Sequence, residues 1–101
     1  MTRATVVRYE AKPERADENE RLVRAVFAEL ASSDPGKIQY AAFRLDDGVT
    51  FVHVAVIDGA ENPLNASAAF SEFQSGIQER CAVPPNPSGA TVIGSYGLEL
   101  D

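Results

Sequence analysis

The stretch that decides the fold runs from Lys37 to Asp58 and reads KIQYAAFRLDDGVTFVHVAVID. Residues 38–45 and 49–57 are rich in β-branched and aromatic side chains, which favour strands. The short segment Asp46-Asp47-Gly48 between them consists of turn-forming residues. The stretch therefore predicts a β-hairpin in which Gly48 adopts the left-handed conformation.

The register of this hairpin decides which side chains share a face. If the turn is a three-residue loop, Phe43 lies opposite Phe51. On that register Tyr40 and Arg44 share one face, and His53 lies on the other. Because side chains alternate along a strand, both faces of the second strand are largely apolar. We therefore expect that strand to be covered on both sides.

The segments around the hairpin complete a recognisable order of elements. The pattern of apolar residues predicts a strand over 4–11, a helix from Pro13 to the breakers at 32–36, a second helix over 66–81 and a last strand over 91–98. We expect Asn62 to cap a short turn that begins at Pro63. The proline-rich segment 83–89 is expected to be a loop. The resulting β-α-β-β-α-β order is the ferredoxin-like α+β fold, with both helices on one face of a four-stranded antiparallel sheet.

Composition excludes several classes of function. Residues 1–101 are expected to form a single domain, because a chain of this length buries one core. A net charge of −6 without a basic block argues against binding to nucleic acid or to an anionic membrane surface. No apolar run could span a bilayer, and no secretory signal is visible. The single cysteine excludes an internal disulfide, so we expect a cytoplasmic protein.

His53 and Tyr40 are the candidate catalytic residues. His53, the only histidine, could act as a general base or donate to a carbonyl substrate, or it could be a core residue satisfied locally. Tyr40 could offer its phenol to a ligand, or it could be an interface aromatic. On the predicted register the two side chains do not face one cavity. The other polar strand residues considered are Arg8, Tyr9, Arg44 and Tyr96.

Neither a metal nor a cofactor is expected. One histidine, one cysteine and scattered carboxylates give no metal-ligand spacing. No glycine-rich phosphate loop follows the first strand. Cys81 is expected to be a buried structural residue, because it lies at the negative end of the second helix.

The chain resembles the dimeric α+β barrel superfamily, in particular its antibiotic-biosynthesis-monooxygenase-like branch. The resemblance covers nearly the whole chain. It rests on the order of elements, on the Asp47-Gly48 turn followed by Phe51-Val52-His53-Val54, and on Phe70-x-x-Phe73 in the second helix. It implies a homodimer whose sheets meet face to face, with a cavity in or beside each half of the joint barrel. The second copy would supply the cover that the hairpin lacks.

The resemblance leaves functions of different classes open. One is a homodimer that binds a small apolar or aromatic ligand without an evident catalytic constellation. The alternative is a cofactor-independent monooxygenase or isomerase acting on an aromatic or phenolic substrate, with His53 or Tyr40 handling the proton. A third is a dimerisation scaffold with a filled interior. Haem degradation is disfavoured, because haem-degrading members use a tryptophan and a helical histidine, and this chain has no tryptophan.

Overall fold

The computed structural model describes residues 2–59 and 61–97. The strands and helices, in chain order, are β1 (Thr2–Ala11), α1 (Ala16–Ser33), β2 (Ile38–Arg44), β3 (Thr50–Asp58), α2 (Ala68–Gln74), α3 (Ile77–Arg80) and β4 (Cys81–Ala90). Short 3-10 helices at Pro13–Arg15 and Pro63–Ala66 precede α1 and α2. The strands form one antiparallel sheet in the order β2-β3-β1-β4. The predicted ferredoxin-like α+β architecture is confirmed.

The helices pack on one face of the sheet. Tyr9 of β1 and Phe51 of β3 are buried on this face against Val23 and Val26 of α1 and Phe73 of α2. Apolar side chains of the helices and the sheet therefore form the core. Partly buried side chains packed against it include Phe27, Leu30 and Phe70. None of the helices in residues 2–59 and 61–97 is long and apolar enough to cross a membrane.

The register of the hairpin differs from the predicted one by one residue. Arg44, not Phe43, lies opposite Phe51, and Ala42 lies opposite His53. The connection has four residues, 46–49, because the N–H of Leu45 donates to the carbonyl of Thr50 at 2.8 Å. A shift of one residue moves every side chain of a strand to the other face. The side chains of β2 therefore lie on the faces opposite to those predicted.

This shift corrects one prediction about the site. Tyr40 and Arg44 lie on the same face as His53, which is the face that the helices cover. The prediction that they lie on opposite faces of the hairpin is wrong. The predicted conformation of Gly48 is confirmed, with φ at +80°. Asn62 also caps its 3-10 helix as predicted, since its side chain accepts the N–H of Leu64 at 2.9 Å.

The C-terminal part of the described chain departs furthest from prediction. The second helix is interrupted at 75–76, so that α2 and α3 are separate. The last strand covers Cys81–Ala90, where a loop was expected, and residues 91–95 have no regular structure. Three prolines are accommodated in β4 because an edge strand pairs on one side only. The end of the predicted strand 91–98, at Leu98, lies outside the described residues.

Candidate functional site

Three polar side chains from neighbouring strands meet on the helix-covered face of the sheet. The Tyr40 hydroxyl lies 2.6 Å from Nδ1 of His53, and the Tyr9 hydroxyl lies 2.9 Å from Nε2. Tyr9 and His53 are buried, with 1% and 6% of their surface exposed, and Tyr40 is half-buried. Both ring nitrogens of the histidine are therefore occupied by phenol hydroxyls. We call these three residues the Tyr–His–Tyr triad.

Strand pairing places the triad. His53 on β3 lies opposite Val7 of β1 and Ala42 of β2. Tyr9 and Tyr40 are each two residues away from those partners, so they lie on the same face at diagonal positions. Diagonal neighbours in a sheet are within reach of long aromatic side chains. The central position of β3 thus brings one histidine between two tyrosines.

Aromatic packing holds the rings of the triad in place. The His53 ring stacks with Phe73 of α2 at 5.5 Å between centroids. Tyr40 stacks on Phe27 of α1 at 4.8 Å. These ring contacts with two different helices fix the orientation of the Tyr40 hydroxyl and of the His53 imidazole.

The hydrogen bonds continue inward from Tyr9. Asn19 of α1 donates through Nδ2 to the Tyr9 hydroxyl at 2.9 Å. Arg80 of α3 donates through Nε to Oδ1 of Asn19 at 3.2 Å and through a terminal nitrogen to the carbonyl of Phe73. Arg80 is 3% exposed and its guanidinium lies 5.4 Å from the centroid of the Phe73 ring. Within the described residues it makes no salt bridge.

Sequence reasoning missed Asn19 and Arg80. It included neither residue among the candidate site residues. On the two predicted helices both residues fall in line with apolar positions: Asn19 lies four residues before Val23, and Arg80 lies seven after Phe73. A polar residue in such a stripe is buried, and a buried polar residue needs a partner. This signal was present in the sequence.

Burial sets the protonation states of the triad. It lowers the pKa of His53 to about 4, so the imidazole is neutral at pH 7. Burial also raises the pKa of both tyrosines above their ordinary value. For Tyr9, the hydrogen bond from Asn19 and the charge of Arg80 oppose this effect without overcoming it. The triad therefore consists of neutral groups near pH 7.

A cavity of about 490 Å³ opens beside the triad, between the sheet and the helices. All three members of the triad contribute to its wall. The rest of the wall is mainly apolar, with Val7, Ala55, Ile57, Leu64, Phe70 and Phe73, and the amides of Asn62, Gln74 and Gln78 add polar groups. This volume and lining are typical of small-molecule sites.

The cavity lies within one chain, on the helix-covered side of the sheet. A second, more open depression of about 700 Å³ is lined by residues at strand ends and in loops, which include Arg3, Lys37, Asp58 and Glu61. Its lining residues include no aromatic side chain, and its charges have mixed signs. We therefore take the cavity beside the triad as the candidate site, although it is the smaller of the two.

The remaining sequence candidates lie elsewhere. Arg44 pairs with Asp17 and Glu20 of α1 at 3.0 and 2.7 Å, which ties the hairpin to the helix. Arg8 and Tyr96 are exposed. The described residues contain no group of three or more His, Cys, Asp or Glu side chains that could hold a metal ion.

Cys81 is buried, as predicted. Only 7% of its surface is exposed, and it packs within the core beside Tyr9. Burial raises the pKa of its thiol, which disfavours the reactive thiolate.

Solved structures share this arrangement of strands and helices. Rv0793 from Mycobacterium tuberculosis has a TM-score of 0.76 at 14% identity, over 96% of this chain and 100% of that one. An antibiotic biosynthesis monooxygenase has a TM-score of 0.67 at 17% identity, over 93% and 100%. A variant of SnoaB, a cofactor-independent oxygenase from Streptomyces nogalater, has a TM-score of 0.70 at 16% identity, over 95% and 97%. The chain has the antibiotic-biosynthesis-monooxygenase-like fold.

The resemblance noted in the sequence is thereby confirmed at the level of fold. No protein-family model matches the sequence, and no curated protein matches it. Identities of 14 to 17% carry the monooxygenase-like fold and not an activity, because one fold serves many functions.

Proposed function

We propose that this protein binds an aromatic small molecule with a phenolic or enolic oxygen in the cavity beside the triad. The observation that carries this proposal is the position of the Tyr40 hydroxyl at the cavity wall, hydrogen-bonded to a buried neutral histidine. Apolar and aromatic walls suit the body of such a ligand, and a few placed polar groups orient it. Tyr40 supplies the polar contact, and Phe70 and Phe73 supply aromatic surface.

We further propose that binding leads to cofactor-independent oxygenation. SnoaB, which shares the fold, is described as a cofactor-independent oxygenase. A phenol or enol that has lost its proton is electron-rich enough to react with dioxygen. At an activated CH₂ group, one oxygen atom becomes a carbonyl and the other leaves as water with the two hydrogens. The carbon loses the four electrons that dioxygen gains, so no external reductant is required.

The part of the protein in this reaction is to stabilise the oxyanion. The Tyr40 hydroxyl, half-buried at the cavity wall, donates a hydrogen bond to the oxygen on which charge develops. His53, with a pKa near 4, is a weak base at neutral pH, so it orients Tyr40 rather than retaining the substrate proton. That proton leaves through the open side of the cavity.

Oxygen uptake tests this proposal. Purified protein is incubated with a panel of anthrones and quinols in an oxygen electrode, against a protein-free control for autoxidation. We expect uptake above the control, and at least a tenfold loss of rate in Tyr40→Phe. Tyr96→Phe is the matched control, because Tyr96 is fully exposed and lies outside the cavity lining.

The same panel separates binding from catalysis. Quenching of tyrosine fluorescence without oxygen uptake would support the binding function and remove the oxygenase function. If neither quenching nor oxygen uptake is observed, the binding function and the oxygenase function are both contradicted. Turnover that is unchanged in His53→Ala would remove His53 from the mechanism.

We also propose that the protein is a homodimer formed through the other face of the sheet. Val52, Val54 and Val56 of β3 alternate with the buried residues of that strand and so point away from the helices. Phe43, on the same face, is 46% exposed. An apolar sheet face of this kind marks an interaction surface. A second copy presents the same face and fits it by two-fold symmetry.

A further inference from the structure

We infer that Arg80 and Asn19 are positioning residues that fix the direction of hydrogen-bond donation through the triad. As a result, His53 carries its proton on Nδ1 and Tyr40 presents its own hydroxyl proton to the ligand. The inference deepens the proposed binding function and rests on it for its meaning. The hydrogen bonds on which it depends, however, are present in the ligand-free protein. It can therefore be tested without any substrate.

The direction begins at Arg80. A guanidinium can donate hydrogen bonds but cannot accept them. Its Nε lies 3.2 Å from the side chain of Asn19, so the amide atom that faces it must be the oxygen Oδ1. The amide nitrogen of Asn19 then faces Tyr9 and donates to its hydroxyl at 2.9 Å. Arg80 thereby excludes the flipped orientation of the amide.

The direction continues through Tyr9. Its oxygen accepts from Asn19, and its own proton has one remaining partner among the described residues, Nε2 of His53 at 2.9 Å. The reverse arrangement would leave the Tyr9 hydroxyl proton without an acceptor in a side chain that is 1% exposed. Nε2 is therefore the acceptor.

The direction ends at the cavity. A neutral imidazole carries one proton, so a histidine that accepts at Nε2 holds that proton on Nδ1. His53 then donates from Nδ1 to the Tyr40 oxygen at 2.6 Å. The hydroxyl proton of Tyr40 is left for a ligand at the cavity wall. Burial of the imidazole keeps it in the neutral state that this argument requires.

The consequence is a preference among ligands. Four successive hydrogen bonds lead from the buried cation Arg80 to the Tyr40 oxygen, so Tyr40 offers a polarised O–H to the cavity. The oxygen that binds there must accept. A phenolate or an enolate oxygen is therefore expected to bind more tightly than the corresponding neutral phenol or enol.

Nitrogen NMR of the single histidine tests the inference directly. The ¹⁵N shifts of the ring distinguish protonation at Nδ1 from protonation at Nε2. At pH 8 and without ligand, we expect Nδ1 to be protonated and Nε2 to be unprotonated. Protonation at Nε2 in the unmodified protein would overturn the inference, whether or not the protein consumes oxygen.

Asn19→Asp is expected to reverse the direction of hydrogen-bond donation between Tyr9 and His53, and the same NMR experiment measures this. A carboxylate at this position accepts from both Arg80 and Tyr9, so the Tyr9 proton turns away from His53. We expect protonation to move to Nε2. Asn65→Asp is the matched control, because Asn65 is exposed and lies outside the hydrogen bonds of the triad. A proton that stays on Nδ1 in Asn19→Asp would overturn the inference.

Arg80→Leu tests the origin of the direction. Without the guanidinium, the Asn19 amide can take either orientation, so we expect signals from both forms of the imidazole. A histidine that remains fully protonated at Nδ1 in this variant would overturn the role of Arg80. Because leucine suits the buried position that Arg80 occupies, the variant is expected to fold, and circular dichroism checks this.

Discussion

The Tyr40 hydroxyl and Nδ1 of His53 lie 2.6 Å apart and join the two strands of the hairpin on the helix-covered side of the sheet. The bond is made where the imidazole is almost out of contact with water. This one hydrogen bond therefore links the protonation state of the buried His53 imidazole to the orientation of the Tyr40 hydroxyl at the cavity.

The stability of the protein is expected to fall between pH 6.5 and pH 4. In the unfolded chain His53 takes up a proton near pH 6.5, but in the folded protein its pKa is lowered to about 4 by burial. Between these values the unfolded state binds more protons, so the free energy of unfolding decreases as the pH falls. At ~1.4 kcal/mol for each pH unit, the full loss is about 3 kcal/mol.

Urea unfolding at pH 7.5 and pH 5 measures the first part of this loss, about 2 kcal/mol, and His53→Gln is the control. Tyr9 and Tyr40 are the titratable side chains that contact the imidazole, and Arg80 is the cation that reaches it through Asn19. Both tyrosines stay protonated over this range, because burial raises their pKa. Equal pH dependence in His53→Gln and the unmodified protein would contradict the prediction.

The two tyrosines of the triad are expected to differ in their effect on stability. Tyr9→Phe leaves the Asn19 amide and Nε2 of His53 without their partner in the interior, at a cost of about 1–3 kcal/mol. Tyr40→Phe changes a half-buried residue at the cavity wall, where water can replace the hydroxyl, so a smaller loss is expected. Urea unfolding of both variants compares them. A larger loss in Tyr40→Phe would show that this account of burial is wrong.

Charge on the apolar sheet face is expected to separate the proposed dimer. Val54→Arg places a guanidinium in the middle of the face that the second copy would cover. Sedimentation at micromolar concentration should then show the mass of one chain. Ala25→Arg adds the same charge to the exposed surface of α1 and should leave the mass unchanged. A monomeric unmodified protein would exclude the dimer altogether.

The hairpin turn is expected to be sensitive at Gly48. Its φ of +80° is strained for any residue with a Cβ, although the space around it is open. Gly48→Ala should therefore lower the free energy of unfolding by about 1 kcal/mol through backbone strain alone. Gly89→Ala is the control, because Gly89 has equally open surroundings without a positive φ. Similar losses in both variants would argue against strain as the cause.

The fold was predictable from the sequence because apolar periodicity reports burial directly. The spacing of Val23 and Val26 identifies the core side of α1, and the two runs of the hairpin identify β2 and β3. The site was not predictable to the same degree. Asp47 accepts the N–H groups of Val49 and Thr50, and these bonds extend the loop to four residues.

The four-residue loop moves the side chains of β2 to the face of the sheet opposite to the predicted one. It brings Tyr40 to His53, which the sequence pattern placed apart, because turn geometry and not apolar pattern sets the register. The position of β4 was missed for another reason. Pairing with β1 at the sheet edge tolerates prolines that a central strand would exclude.

The prolines of β4 also govern how copies of this protein can meet. A proline nitrogen has no hydrogen to donate, so the outer side of Cys81–Ala90 is a poor template for an incoming strand. Growth of the sheet from molecule to molecule, the first step towards fibrils, is therefore blocked at this edge. The apolar face of the sheet can therefore bind a second copy, while the β4 edge of the same sheet does not accept further strands.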